Sequence, residues 1–199
     1  MPLIKLNNRS IKDVTSLPFG VGNLIHIQSQ TASNSASISF TTGINSTYKE
    51  YQFYFINVRP ATDAKHFQFN LSTDSGSNYN VTKTSTSFTA WQDEGGTDPL
   101  LSYQAPWDLA QSTSDQILCW EVGNGADECF AGSMQIFNPA STTYVKHFIS
   151  NVNQYYSANY SINHFVAGYG NTTSACNAIR FQFNTGNIAD GTIAMFGVV

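Results

Sequence analysis

The sequence predicts an all-β protein built as an antiparallel sandwich, and three observations carry that expectation. Short segments rich in β-branched and aromatic residues recur at spacings of about ten. The stretches between them supply Gly, Asn and Asp, and no long segment repeats its apolar residues with the 3.6 period of a helix. Ten such segments in 199 residues imply two stacked sheets around one core.

Residues 1–20 read as a short irregular arm, marked by Pro2, Pro18 and Gly20. Its Leu3, Ile4, Leu6 and Ile11 have no periodic partners in their own segment, so the arm is expected to anchor in an external groove. The body, 21–199, then runs as a single sandwich domain. Its strands are "NLIHIQSQ" (23–30), "SASISFT" (35–41), "EYQFYFINVR" (50–59), "HFQFNLS" (66–72) and "ILCWEV" (117–122). They continue with "GSMQIFN" (132–138), "TYVKHFIS" (143–150), "INHFVAGY" (162–169), "AIRFQFN" (178–184) and "TIAMFGVV" (192–199). Connections such as "STDSGSNYN", "DEGGTDP", "GNGADE" and "NTGNIADG" carry residues that tolerate the positive φ of tight turns. Residues 73–116, rich in Ser, Thr and Gly with Trp91 and Trp107 embedded, form the least regular stretch. Within it "YQAPWDLAQS" (103–112) is the best helical candidate, with Pro106 in a first turn and Trp107 and Ala110 facing inward.

Side chains alternate between the faces of a strand, which sorts these segments into two kinds. In "HFQFNLS" and "RFQFN", Phe67, Phe69, Leu71, Phe181 and Phe183 alternate with polar residues, giving one dry and one wet face. In "EYQFYFINV", Tyr51, Phe53 and Phe55 oppose Tyr54, Ile56 and Val58, so both faces are apolar; "TIAMFGVV" behaves alike. One core covers one face only. The other needs a long loop or a second subunit, and Tyr51, Phe53, Phe55, Phe196 and Val198 are the candidate oligomer contacts.

Composition narrows the function. Charged residues make up 11%, the net charge is -4, and Lys and Arg are scattered singly, so no basic stripe is present to neutralise nucleic-acid phosphates. No apolar run is long enough to span a membrane, and the opening "MPLIKLNNRSIKD" lacks the apolar centre of a signal peptide. Cys119, Cys129 and Cys176 have no zinc-type or redox-type spacing and read as free thiols, a pairing of Cys119 with Cys129 across a hairpin remaining open. His26, His66, His147 and His164 stand singly in strands and read as hydrogen-bonded rather than metal-bound. No Gly-x-Ser-x-Gly elbow and no phosphate-cradling loop occurs, and no cofactor or metal is implied. Loop acids Asp93, Glu94, Asp98, Asp127 and Glu128 are the only candidates for paired-carboxylate chemistry or a structural cation. Six Asn-x-Ser/Thr sequons, Asn70 among them, follow from an Asn, Ser and Thr-rich composition. Exposed aromatics suit a binding surface better; Trp91, Trp107, Tyr155 and Tyr156 lie among polar loop residues as candidate glycan contacts.

Several stretches resemble a recurrent family of bacteriophage virion proteins of the marine cyanophage type. They are "LIKLNNRSIKD", "LPFGVGNLIHIQSQT", "SASISFTTGINSTYKEYQFYFINVRPATD", "FNPASTTYVKHFIS", "VAGYGNTTSACNAIRFQF" and "GNIADGTIAMFGVV", and together they reach from about residue 3 to 199. The resemblance implies a jelly-roll-like sandwich on the particle exterior, assembled in the bacterial cytoplasm. It further implies a non-enzymatic tail appendage or fibre component that contacts host cell-surface polysaccharide, or alternatively a capsid decoration or head-tail structural protein. The expected partners are other virion proteins and copies of itself, as a trimer. A polysaccharide-degrading tail enzyme is the alternative of another class.

Overall fold

The computed structural model describes residues 24–156 and 158–199. The anchoring residues proposed in the arm, Leu3, Ile4, Leu6 and Ile11, lie outside them. The described residues form twelve strands: β1 (Leu24–Thr31), β2 (Ile38–Phe40), β3 (Glu50–Pro60), β4 (Lys65–Ser72), β5 (Lys83–Asp93), β6 (Leu100–Tyr103), β7 (Gln116–Val122), β8 (Phe130–Phe137), β9 (Lys146–Tyr156), β10 (Tyr160–Gly170), β11 (Ala178–Phe183) and β12 (Ile188–Val198). Every pairing between them is antiparallel.

Eight of these strands make a jelly roll. One layer runs β1-β12-β3-β8 and the other β2-β11-β4-β7. Counting those eight alone, first pairs with last, second with seventh, third with sixth and fourth with fifth, which is two Greek keys wrapped into a sandwich. The remaining four strands prolong the first layer, which continues β8-β9-β10-β5-β6 to eight strands against four. The large sheet therefore extends past the small one: β9 still packs on β4 and β7, and the sheet runs on beyond it through β10, β5 and β6.

The jelly-roll core is aromatic. Phe181 from β11 lies at its centre, with ring centroids 5.3 Å from both Phe53 and Phe55, 5.9 Å from Phe67, 6.3 Å from Phe40 and 6.4 Å from Phe69. Most of these pairs are edge-to-face, the arrangement that ring quadrupoles favour. This packing corrects the assignment of Tyr51, Phe53 and Phe55 to an oligomer contact. All three point inward and are essentially inaccessible, at 0%, 0% and 1% exposure, because β3 is a central strand whose odd-numbered side faces β11 and β4. The opposite side carries Gln52, Tyr54 and Ile56. There Phe196 is half-buried, edge-on to Tyr54 at 5.5 Å and to His26 at 5.3 Å, and Val198 is half-buried between its register partners Leu24 and Glu50. Part of the second apolar face is thus covered from within its own sheet.

A bulge interrupts the β3–β12 ladder, which resumes at Arg59 with Asp190. Register shifts near Asn57, which adopts φ 50°, and opposite it Gly191 adopts φ 108°. A Cβ at Gly191 would lie 2.6 Å from Val58 Cα and 2.7 Å from Asn57 O, so only glycine fits there.

All ten anticipated strands are present, and the stretch 73–116 is where the structure departs from expectation. It holds β5, eleven residues long, and β6. The inward residues of β5 are Lys83, Ser85, Ser87 and Thr89, while Phe88 points outward, so the strand's apolar pattern is inverted. The helix expected over 103–112 reduces to one 3-10 turn, Ala105–Trp107, containing Pro106. Ala110 is exposed, and Trp107 packs instead on Trp120.

Candidate functional site

The overhang of the large sheet creates the site. The small sheet ends near β10 with its edge strand β7, and the connection from Gln104 to Ser112 runs along the free edge of β5. Its backbone pairs with that edge through Gln104 N to Ser87 O (2.8 Å), Ser85 N to Leu109 O (2.9 Å) and Lys83 N to Ser112 O (2.7 Å). At the other end of β5 the inner face stays open as a pocket of about 320 Å³, lined by Trp91, Asp98, Trp120, Tyr156, Ala158, Tyr160 and Ile162.

Strands position the aromatic wall, and Asp98 and Ala158 join it from connections. Trp91 is the register partner of Ile162, and Tyr160 is flanked by Tyr156 and Asp93, so these inward side chains share one end of the sandwich. Trp120 enters from β7 and stacks on Trp107 at 4.5 Å and 18°. Gln116 Nε2 fixes that stack by donating to Trp107 O and Ile117 O, both at 2.9 Å. Gln154 Nε2 donates to Trp120 O at 3.0 Å. All three tryptophans of the chain therefore surround one pocket, Trp91 and Trp120 in its wall and Trp107 behind it.

Carboxylates stand at its rim. Tyr160 donates its hydroxyl to Asp98 Oδ2 (3.1 Å), and Tyr156 donates to Glu121 Oε2 (3.4 Å). The bond to Asp98 pushes the Tyr160 phenol up, and burial together with Glu121 does the same for Tyr156, so both remain donors at neutral pH. Deeper in the wall, the Trp120 Nε1 and His164 Nε2 atoms are buried with no hydrogen-bond partner among the described residues. His164 is 2% exposed, lies edge-on to Trp120 at 6.0 Å, and burial pushes its pKa down to about 3. It stays neutral, and it departs from the expectation of four hydrogen-bonded histidines.

Of the four aromatics picked out in the sequence, Trp91 and Tyr156 meet in the pocket and Trp107 backs it. Tyr155 does not join them. It follows Gln154 in an alternating strand, faces the opposite side of the sheet, and donates its hydroxyl to Asn159 Oδ1 (2.8 Å). Trp120 and Ile162 read only as strand residues and Asp98 only as a loop acid, because what joins them is a pairing between segments distant in the chain.

Two of the other loop acids, Asp93 and Glu128, are engaged locally. Asp93 Oδ1 accepts from the backbone N–H groups of Thr97 and Asp98, both at 2.7 Å, and these bonds hold its carboxyl below the usual range. Glu128 Oε2 accepts from Gly125 N (2.6 Å). Among the described residues no group of three or more His, Cys, Asp or Glu is placed to hold a metal ion. Cys119, Cys129 and Cys176 are free thiols, and Cys119 Sγ donates to Gln154 Oε1 (3.1 Å).

No family model, curated protein or solved structure matches this chain.

Proposed function

We propose that this protein is a non-enzymatic, carbohydrate-binding jelly roll on the exterior of a bacteriophage particle. The resemblance of the sequence to phage virion proteins supplies the setting. The pocket supplies the activity, and its carrying observation is the convergence of Trp91, Trp120, Tyr156 and Tyr160 with Asp98. Aromatic faces pack against the C–H faces of a sugar ring, while carboxylate and phenol oxygens at the rim pair with its hydroxyls. A volume of about 320 Å³ suits one or two sugar residues of a longer chain that enters from solvent.

Copies of the chain assemble through the outer face of the sheet overhang. The outward residues of β9, β10, β5 and β6 include no Asp, Glu, Lys or Arg, and they expose Phe88 (41%), Ile149 (49%) and Leu101 (68%). A like-with-like contact there desolvates no charge.

Titration calorimetry with oligosaccharides from bacterial surface polysaccharide tests the binding. Saturable binding is expected, weakened at least about tenfold by Trp91→Ala and unchanged by Tyr155→Ala, which faces the other way. Absence of binding across such oligosaccharides, or equal loss in both variants, would overturn the reading. New reducing ends released from the same material, and abolished in Asp98→Asn, would replace a binder by a hydrolase.

A further inference from the structure

Lys83 opens β5 and is fully buried, at 0% exposure. Its ammonium has no carboxylate within ion-pair distance among the described residues; it donates to Asn70 Oδ1 at 2.6 Å and to Val81 O at 2.8 Å. A buried ammonium facing only neutral acceptors is an expensive structural element, far more so than a methionine of the same length. Burial pushes its pKa down to about 8, opposed by Asp115 and Cys176. At pH 7 about a tenth of the molecules then hold a neutral, nucleophilic amine.

The group it faces is arranged for acyl transfer. Asn70, 1% exposed, lies on β4 just past the last β4–β7 register pair, Phe69 with Gln116. Its carbonyl oxygen also accepts from Leu71 N (2.9 Å), so a backbone donor already stands where negative charge would develop. Its amide nitrogen donates to Asp115 Oδ1 (2.7 Å) and Thr113 O (3.0 Å). Asp115 is itself held by Gln68 (3.0 Å), Gln182 (2.8 Å) and Arg180 (3.4 Å). Nucleophile, carbonyl and carboxylate thus follow one another in hydrogen-bond contact, Lys83 and Asn70 buried and Asp115 reaching partly into solvent.

We propose that Lys83 and Asn70 join in an intramolecular isopeptide bond, with Asp115 holding the amide nitrogen that leaves, so that the sheet overhang is covalently stapled to the jelly roll. The neutral Nζ attacks Asn70 Cγ, and the Leu71 N–H holds the oxygen as it gains charge. One proton passes from Nζ to Nδ2 at the tetrahedral carbon, and Asp115, hydrogen-bonded to Nδ2, steadies the charge that this nitrogen gains. The Cγ–Nδ2 bond breaks, ammonia leaves, and the carboxylate ends as it began. One amine and one primary amide become one secondary amide and one ammonia, with no oxidant or cofactor. The buried charge disappears with the ammonia. Lys146 is an internal control: it is equally buried at 0%, but its Nζ donates to the backbone oxygens of Tyr144 and Thr172, whose carbonyls hold no ammonia to release.

Intact-mass measurement of the purified full chain under denaturing conditions tests this. The expected mass is lower than the sequence requires by one ammonia, not two. Proteolysis between the partners, at Asp74 or Tyr79, should leave the Asn70 and Lys83 peptides joined, while Lys146 is recovered free. Lys83→Arg and Asn70→Ala should restore the full mass. Asp115→Asn should accumulate unlinked chain, and thermal unfolding of that chain, still folded, should begin lower than in the linked protein. A wild-type chain at full sequence mass would overturn the proposal, whatever the variants do. So would an ammonia deficit that persists in Lys83→Arg, since that would place the loss elsewhere.

Discussion

The jelly roll and the four strands that prolong it share one sheet and are built on opposite principles. Beneath β12, β3 and β8 the interior is Phe40, Phe53, Phe55, Phe67, Phe69 and Phe181, with every strand turning its apolar side inward. Beneath β9, β10 and β5 the buried residues include Lys83, Ser85, Ser87, Thr89, Lys146, Ser150, Gln154 and His164, and apolar Phe88 and Ile149 are left outside. Where two sheets face each other, ring packing supplies the stability and leaves no space for chemistry. Toward β5 an irregular connection takes over from the second sheet, and polar groups must find partners one at a time. Both candidate sites lie along this second region, the aromatic pocket at one end of β5 and the Lys83–Asn70 contact at the other.

That contrast can be broken most forcefully in the jelly roll. Phe181→Ala removes a ring in contact with five others and should cost about 3–5 kcal/mol, read as a lower midpoint in urea or thermal unfolding. The overhang should answer to acid instead. His164 titrates near 6.5 when unfolded and at about 3 when folded, so between those values the unfolded chain binds more protons. Its contribution is complete above pH 6.5 and is lost as pH falls toward 3. Going from pH 7 to pH 5 should therefore remove about 2 kcal/mol, measured by urea unfolding at the two pH values. His164→Asn should flatten that dependence, leaving the shallower one from half-buried His66, whose pKa burial also lowers. The smallest effect on folding is expected on the outer face. Phe88 stacks on Phe165 at 4.8 Å but is 41% exposed, so Phe88→Ser should shift stability by about 0.5 kcal/mol or less. The same change should lower the sedimentation coefficient at high concentration if copies meet there, and an unchanged coefficient would remove this face from the assembly.

Legibility in the sequence follows the same division. The jelly-roll strands announce themselves because a one-sided apolar alternation, as in "HFQFNLS", is a local signal of burial. In "KTSTSFTAWQD" the same logic misleads, since its inward positions are Lys, Ser and Thr and only their partners Asn70, Leu109 and Gln104 make them tolerable there. Tyr51, Phe53 and Phe55 failed as contacts for a related reason. A strand apolar on both sides does not reveal which side the core takes.

The sequence by itself determined that the chain is all-β, that its strands pair antiparallel in two layers, and that its aromatics exceed what a plain sandwich displays on one face per strand. These follow from periodicity and turn chemistry, which act within a few residues. Only the tertiary structure decided that Trp91 and Trp120 line one pocket with Trp107 stacked behind, and that Lys83 meets Asn70 beside Asp115. Such meetings are set by strand order and by unequal sheet sizes, and those depend on long-range packing that no local pattern encodes.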